Sequence, residues 1–311
     1  MLALAVLFAA TPTSLALPAP APVSMDYLAA DGGRVWIPAG NTGKVFVLEG
    51  GKFASIDGFP TKEGRNGRQM GPSSVTVGEG FAYVGNRGDS KICAIEASSL
   101  SKKGCAEMPS MPDGTFYVAT TREVWVTTPR EKTLQILDAK DPAAPKLTAK
   151  VELPGEPEGY AVDAAKGLVF TNLEDKNRTL VLDAKSRKVV ATFEAGCSEK
   201  GPRGLAVDAG RGLLLVACTD GVVSLDEKTG ARKGRLETGA GVDNIDYLGK
   251  RVYVSAGQAE KLTVAEVGDD GQFKPVASEK VGKGCRVVVA TSDGTAYAAD
   301  SAGGQLWVLK P

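Results

Sequence analysis

One unit recurs seven times along this chain, and that repeat limits the possible folds more than any other feature. Each copy carries a short run of strand character built around a large apolar residue. The first four runs are Val35-Trp36-Ile37, Ala82-Tyr83-Val84, Val124-Trp125-Val126 and Val169-Phe170-Thr171. Leu214-Leu215-Val216, Val252-Tyr253-Val254 and Ala296-Tyr297-Ala298 follow. The central residues lie 38 to 47 apart, close to the roughly 40–45 residues of a four-stranded propeller blade. A further strand follows most of these runs and ends in an acid, as in Val45–Glu49, Ile92–Glu96, Leu134–Asp138, Leu180–Asp183 and Val222–Asp226. An acid there can hydrogen-bond local backbone where the chain turns. No stretch keeps a 3.6-residue apolar period, so helices should be nearly absent. The expected fold is all-β: a seven-bladed β-propeller of four-stranded blades, forming a single domain.

The strings Tyr83-Val84-Gly85-Asn86, Trp125-Val126-Thr127-Thr128 and Val169-Phe170-Thr171-Asn172 resemble the YVTN-repeat family of seven-bladed propellers. Pro157–Asp163 and Pro202–Asp208 are similar to that family's innermost strand. The resemblance runs from about Met25 to Leu309 and implies the fold. The chain departs from the pattern where a histidine often follows the proline, because Glu158 and Arg203 stand there. Pro38 departs too, since a proline disturbs a fully paired strand.

Seven units start near Met25, Ser73, Gly114, Glu158, Arg203, Val242 and Arg286, and the last stops at Leu309 after three strands. Residues before Met25 can supply the missing strand, although Pro18, Pro20 and Pro22 argue for a poorly paired edge. The alternative is an incomplete blade.

The apolar run Leu2–Ala10 has the length of a signal-peptide core and is too short to span a bilayer. Ser14-Leu15-Ala16, Ala19 and Ala21 offer small residues for cleavage, although no basic residue precedes the run. Residues 1–24 are therefore read as a leader or N-terminal segment, and 25–311 as the propeller. A buried N-terminal strand is the alternative. The expected location is periplasmic or secreted. The five cysteines agree. Cys93 and Cys105 flank a hairpin turn, where equidistant residues face each other. Cys197 and Cys218 fall on one face of a propeller. Two bridges, Cys93–Cys105 and Cys197–Cys218, with Cys285 as a free thiol, are expected; five reduced thiols are the other possibility.

The chain contains no histidine. That excludes a Ser–His–Asp arrangement, an imidazole proton shuttle and a three-histidine zinc site. Lysine plus arginine equals aspartate plus glutamate at 37 each, so nothing global pulls the chain towards nucleic acid or anionic membrane.

Loops leading into the innermost strands crowd one mouth of a propeller channel. They should bring Ser73, Ser74, Glu158, Arg203, Asp243, Asn244, Cys285 and Arg286 together. Middle-strand ends add Asn41, Asn86, Arg87, Asp89, Asn172, Glu174, Asp220 and Asp300 further out. Arg203 and Arg286 can hold a carboxylate or phosphate, and Glu158 and Asp243 a hard cation. The same charges can instead pair with one another and seal the mouth. Cys285 beside Arg286 is either a reactive thiol or a small buried residue. Lys62–Arg68 is the most basic loop, and Asn177-Arg178-Thr179 fits the glycosylation sequon.

The reading that fits best is an exported, non-catalytic propeller, expected as a monomer, that binds a protein, peptide or small ligand at the channel mouth without a cofactor. The alternative is a Ca²⁺-dependent lactonase-like hydrolase with Glu158, Asp243, Asn244 and Asp300 as oxygen ligands. Single-stranded nucleic-acid binding is a third class, against which neutral charge and few surface aromatics argue.

Overall fold

The computed structural model describes residues 11–64, 67–198 and 201–311. Seven four-stranded antiparallel sheets make up the chain. Each innermost strand touches the innermost strands of the blades on either side, and the seventh returns to the first. This is the expected seven-bladed propeller. Blade four is representative, with strands Pro157–Asp163, Leu168–Leu173, Arg178–Asp183 and Lys188–Glu194 running from the channel outwards. Its innermost strand alternates buried and half-buried residues, as a strand must when successive side chains point to opposite faces.

Seven apolar clusters hold the ring, one in each seam between neighbouring blades. The repeated middle-strand residues Trp36, Tyr83, Trp125 and Phe170 are fully buried in them. Each such side chain contributes about 1.5–3 kcal/mol by leaving water. One sheet cannot cover its own two faces, so the period seen in sequence is the period of seams filled.

The ring is closed by both chain ends. Thr13–Ala16 pairs antiparallel with Gln305–Leu309, from Thr13 opposite Val308 to Ala16 opposite Gln305, and supplies the outer strand of blade seven. Leu17, Val23 and Met25 then enter the seam between blades seven and one. The three prolines follow the strand rather than interrupt it, so they leave its pairing intact. Among the described residues the propeller thus includes Thr13–Ala16, ahead of the Met25 boundary read from the sequence, and Ala16, Ala19 and Ala21 lie within or beyond the closing strand. The apolar run Leu2–Ala10 lies outside the described residues.

Pro38 fits for a related reason. The innermost strand of blade one is only Ala29–Asp31 and pairs with Arg34–Trp36, so Pro38 lies past the end of that pairing. Tyr27 instead forms a parallel bridge to Ser74 of blade two.

Both expected disulfides are present. Cys93 and Cys105 are direct register partners with Cα atoms 4.0 Å apart, and Cys197 and Cys218 are 5.3 Å apart. Two bridges fit an oxidising compartment. Cys285 is free and buried. Among the described residues no helix is long and apolar enough to cross a membrane.

Candidate functional site at the channel mouth

One residue at the entrance to each innermost strand faces the mouth; it is the second residue of the strand in blades two and four to seven, and lies just before the strand in blades one and three. In chain order these residues are Asp26, Ser73, Asp113, Glu158, Arg203, Asp243 and Arg286. Four carboxyl groups thus meet two guanidiniums at one end of the channel. Arg87 and Glu174, from the ends of middle strands, join them.

Conserving geometry here falls to the side chains of the repeat itself. The Asn172 amide donates to the carbonyl oxygens of Arg203, at 2.6 Å, and Gly204, at 3.3 Å. Thr179 Oγ1 orients that amide by donating to its oxygen at 2.6 Å. Ser255 Oγ donates to the Cys285 carbonyl at 2.8 Å, directly before Arg286. Polar residues late in one middle strand therefore fix the start of the next blade.

Most charges in the mouth are paired. Arg87 Nη2 lies 3.0 Å from Asp26 Oδ2 and also contacts Asp113. Arg286 Nη1 lies 2.7 Å from Asp243 Oδ2, and its Nη2 lies 3.5 Å from Asp26 Oδ1. Arg203 pairs with Glu174. The two arginines expected to clasp an anion are thus already engaged by carboxylates.

Glu158 differs. Among the described residues no cation lies within ion-pair distance of it, and its partner is the Tyr27 hydroxyl, 3.2 Å away. That hydroxyl is also 3.3 Å from Asp113 Oδ2. A phenol has one proton to donate, so it cannot satisfy two ionised carboxylates. The arrangement closes if Tyr27 donates to Asp113, itself held by Arg87, and Glu158 keeps its own proton and donates to the Tyr27 oxygen. Electrostatics agree: burial first, then Asp113 and Asp243, pushes the Glu158 carboxyl well above its ordinary range. Asp243 is pushed up to about 6, chiefly by burial, with Arg286 opposing. Glu158 still keeps some accessible surface into the mouth.

Tyr27 also divides the channel. It reaches from blade one to stack on Tyr160 of blade four, with ring centroids 5.6 Å apart, and Tyr160 stacks on Phe116 of blade three at 4.5 Å. On the mouth side, a cavity of about 310 Å³ holds Asp26, Arg87, Asp113 and Glu158, with Met70, Pro72, Met111 and Pro129 also on its walls. A second cavity of about 550 Å³ lies over blades five to seven and includes Arg203, Asp220, Asp243, Lys283 and Arg286. An inner chamber of about 370 Å³ is lined by Tyr27, Tyr160, Asn244 and Asp246.

Glu158, Arg203, Asp243 and Arg286 thus lie at one end of the channel. Asn244 faces the inner chamber instead, its Oδ1 accepting from the Ile245 N–H at 3.1 Å. Asp300 belongs to a turn in blade seven and accepts from the Gly303 N–H at 2.9 Å and Gln305 Nε2 at 3.1 Å. The four oxygen ligands considered for calcium are not gathered at one point. Among the described residues no group of three or more acids or cysteines is placed to hold a metal ion. Cys285 is fully buried and its thiol is pushed up to about 12, mainly by burial, so Arg286 does not activate it. The Asn177 side chain is tied to the disulfide loop, donating to the Cys197 carbonyl at 2.9 Å and accepting from its N–H at 3.3 Å. A glycan on Asn177 would break that contact. The basic loop forms a small ribbon, Lys62–Glu63 with Gln69–Met70, that carries Met70 to the first cavity; Arg65 and Asn66 lie outside the described residues.

Sequence reasoning missed Asp26, Tyr27 and Asp113. The signal was the repeat register: Asp113 follows Pro112 as Glu158 follows Pro157 and Arg203 follows Pro202.

Fold and mouth together define a seven-bladed β-propeller with a charged, plugged channel. Solved structures with the same architecture include virginiamycin B lyase from Staphylococcus aureus, at TM-score 0.76 and 13% identity over 97% of this chain and 99% of that one. A chain of the mitotic checkpoint complex matches at TM-score 0.78 and 14% identity, covering 97% and 92%. The WD40 propeller domain of Doa1 matches at 0.73 and 12%, covering 96% of each chain. At such identities the likeness is one of fold. No family model and no curated protein sequence matches the chain, so the YVTN resemblance rests on the repeat strings alone.

Proposed function

We propose that this protein is an exported, non-catalytic propeller that binds a protein, peptide or small ligand at the channel mouth. The observation that carries this reading is the pair of mouth cavities that share one ring of ionisable side chains, floored by Glu158, which among the described residues has no cation within ion-pair distance. A cleft with convergent polar groups and a strongly shifted acid is the default place for binding. Two disulfides and the apolar run Leu2–Ala10 support export. WD40 propellers and lyases both occur among the structural neighbours. Of the lyase, a catalytically inactive form carries a histidine-to-alanine change; this chain has no histidine, which favours binding over that chemistry.

The test is capture from cell-envelope extract by the folded protein, with Asp243→Asn/Arg286→Gln as the control that alters the mouth alone. Saturable capture that the control loses is the expected result. Turnover of a substrate with no saturable partner would replace this reading with the enzymatic one.

A further inference from the structure

We infer that the cavity over Glu158 takes an aliphatic ammonium group, such as a lysine side chain or a primary alkylamine, and that Glu158 gives up a proton when it binds. This inference rests on the mouth being a binding surface and names the chemistry of its ligand.

Three independent features point the same way. The first is shape and lining. The 310 Å³ cavity has apolar wall residues, Met70, Pro72, Met111 and Pro129, from three different loops, and carboxyl groups of Asp26, Asp113 and Glu158 on the same lining. Thioether and pyrrolidine surfaces suit a methylene chain, which buries its stem while its charged head finds polar partners.

The second is the missing counter-charge. Asp26 and Asp113 have Arg87, Asp243 has Arg286, and Glu174 has Arg203. Glu158 alone among these acids has none within the described residues. At the floor of the cavity an anion meets carboxylates whose arginines are already engaged, so there a cation is the complementary ligand.

The third is the proton count. One phenolic proton of Tyr27 serves both Asp113 and Glu158, so the free site stores an extra proton on the carboxyl that lacks a cation. The groups that set its titration are Tyr27, Asp26, Asp113, Glu174 and Asp243, with Arg87, Arg203 and Arg286 paired to four of them. An ammonium group 3 Å or so away replaces the proton as the positive partner. The exchange balances: ammonium in, one proton out to solvent, with Glu158 left ionised and Tyr27 still donating to Asp113. Arg68 and Arg130 also reach this cavity, and both are exposed. They add an anion-friendly rim above the acidic floor.

The experiment is calorimetric titration of the full chain with hexylammonium and, separately, with hexanoate, in two buffers of different ionisation enthalpy at pH 5.5 to 8. Expected are saturable hexylammonium binding, release of about one proton, and affinity rising about tenfold per pH unit while Glu158 is protonated in the free protein. Glu158→Gln should weaken hexylammonium at least about tenfold and abolish proton release, with an unfolding midpoint showing that the variant is folded. Lys188→Ala, on the exposed outer strand of blade four, should leave both unchanged. Preference for hexanoate, proton uptake, or unchanged binding in Glu158→Gln overturns the inference. If neither probe binds, the ammonium assignment fails. The envelope-capture result with Asp243→Asn/Arg286→Gln then decides separately whether the mouth binds anything.

Discussion

Two buried carboxyl clusters in this ring use the same residue types to opposite ends. At the seam of blades four and five, Asp163 and Glu227 are almost completely buried, and Lys166 reaches both, 3.0 Å from Asp163 Oδ2 and in contact with Glu227. Lys166 N–H also donates to Asp163 Oδ1 at 3.0 Å. Burial pushes the Glu227 carboxyl up while Lys166 opposes it, and hydrogen bonds from Lys166 hold Asp163 down against burial. That cluster carries its own cation, a lysine whose side chain is about half exposed to solvent. At the mouth, Glu158 is pushed up as well, but the nearest stabilising group is a neutral phenol and the open side is a cavity. The contrast separates a charge that the fold completes from one that it leaves for something else to complete.

The comparison presupposes a closed ring clamping both clusters, and the largest effect should come from opening it. Deleting the residues through Leu17 removes the strand paired to Gln305–Leu309 and the buried Leu17 side chain. Loss of that leucine's burial alone should cost about 2–5 kcal/mol; urea unfolding should show a lower midpoint or no folded baseline. Next, Arg87→Ala strips Asp113 of its cation, leaves Asp26 only the longer contact to Arg286, and should cost about 3–5 kcal/mol, because it leaves a buried charge unpaired. At pH 4.5 or below, where Glu158 carries its proton, Glu158→Gln removes no ion pair and should change the unfolding free energy by less than about 1 kcal/mol. Equal losses for the two variants would erase the distinction between them.

At the seam, Lys166→Met should cost about 1 kcal/mol, discounted because half of the lysine side chain is exposed. A loss as large as that of Arg87→Ala would mean that the seam depends on its cation as strongly as the mouth does. The last test is in pH. The Glu158 carboxyl titrates higher folded than unfolded, so the stability it contributes is whole below its ordinary value of 4.5 and is lost as pH rises through the elevated one. Asp243 has the same sign between 3.8 and about 6. The wild-type advantage over Glu158→Gln should therefore shrink from pH 4.5 upward in thermal unfolding. An advantage that grows with pH would place a cation on Glu158 already.

The fold was legible because seams repeat: Trp36, Tyr83, Trp125 and Phe170 do the same work in successive blades, so sequence period and packing period coincide. The disulfides were legible for the same reason, since hairpin symmetry puts Cys93 opposite Cys105. The mouth was read in part. Glu158 and Arg203 stand out because proline and glycine frame them, whereas Asp26 follows Met25 with no such frame. Tyr27 could not be found by period at all. Its importance lies in reaching across the channel to another blade, a distance that local spacing does not encode. Asp300 misled for the converse reason: an acid after a middle strand can face the mouth or close its own turn, and only the turn geometry of Gly303 decides.

Thr13–Ala16 is the earliest of the described strands along the chain and the last to find its partner. Until Gln305–Leu309 has been made, these residues have nowhere to pair, and blade seven lacks its rim. Nearly the whole chain must therefore be available before the circle can lock, and any processing that removes Thr13 to Ala16 beforehand leaves blade seven with an open edge.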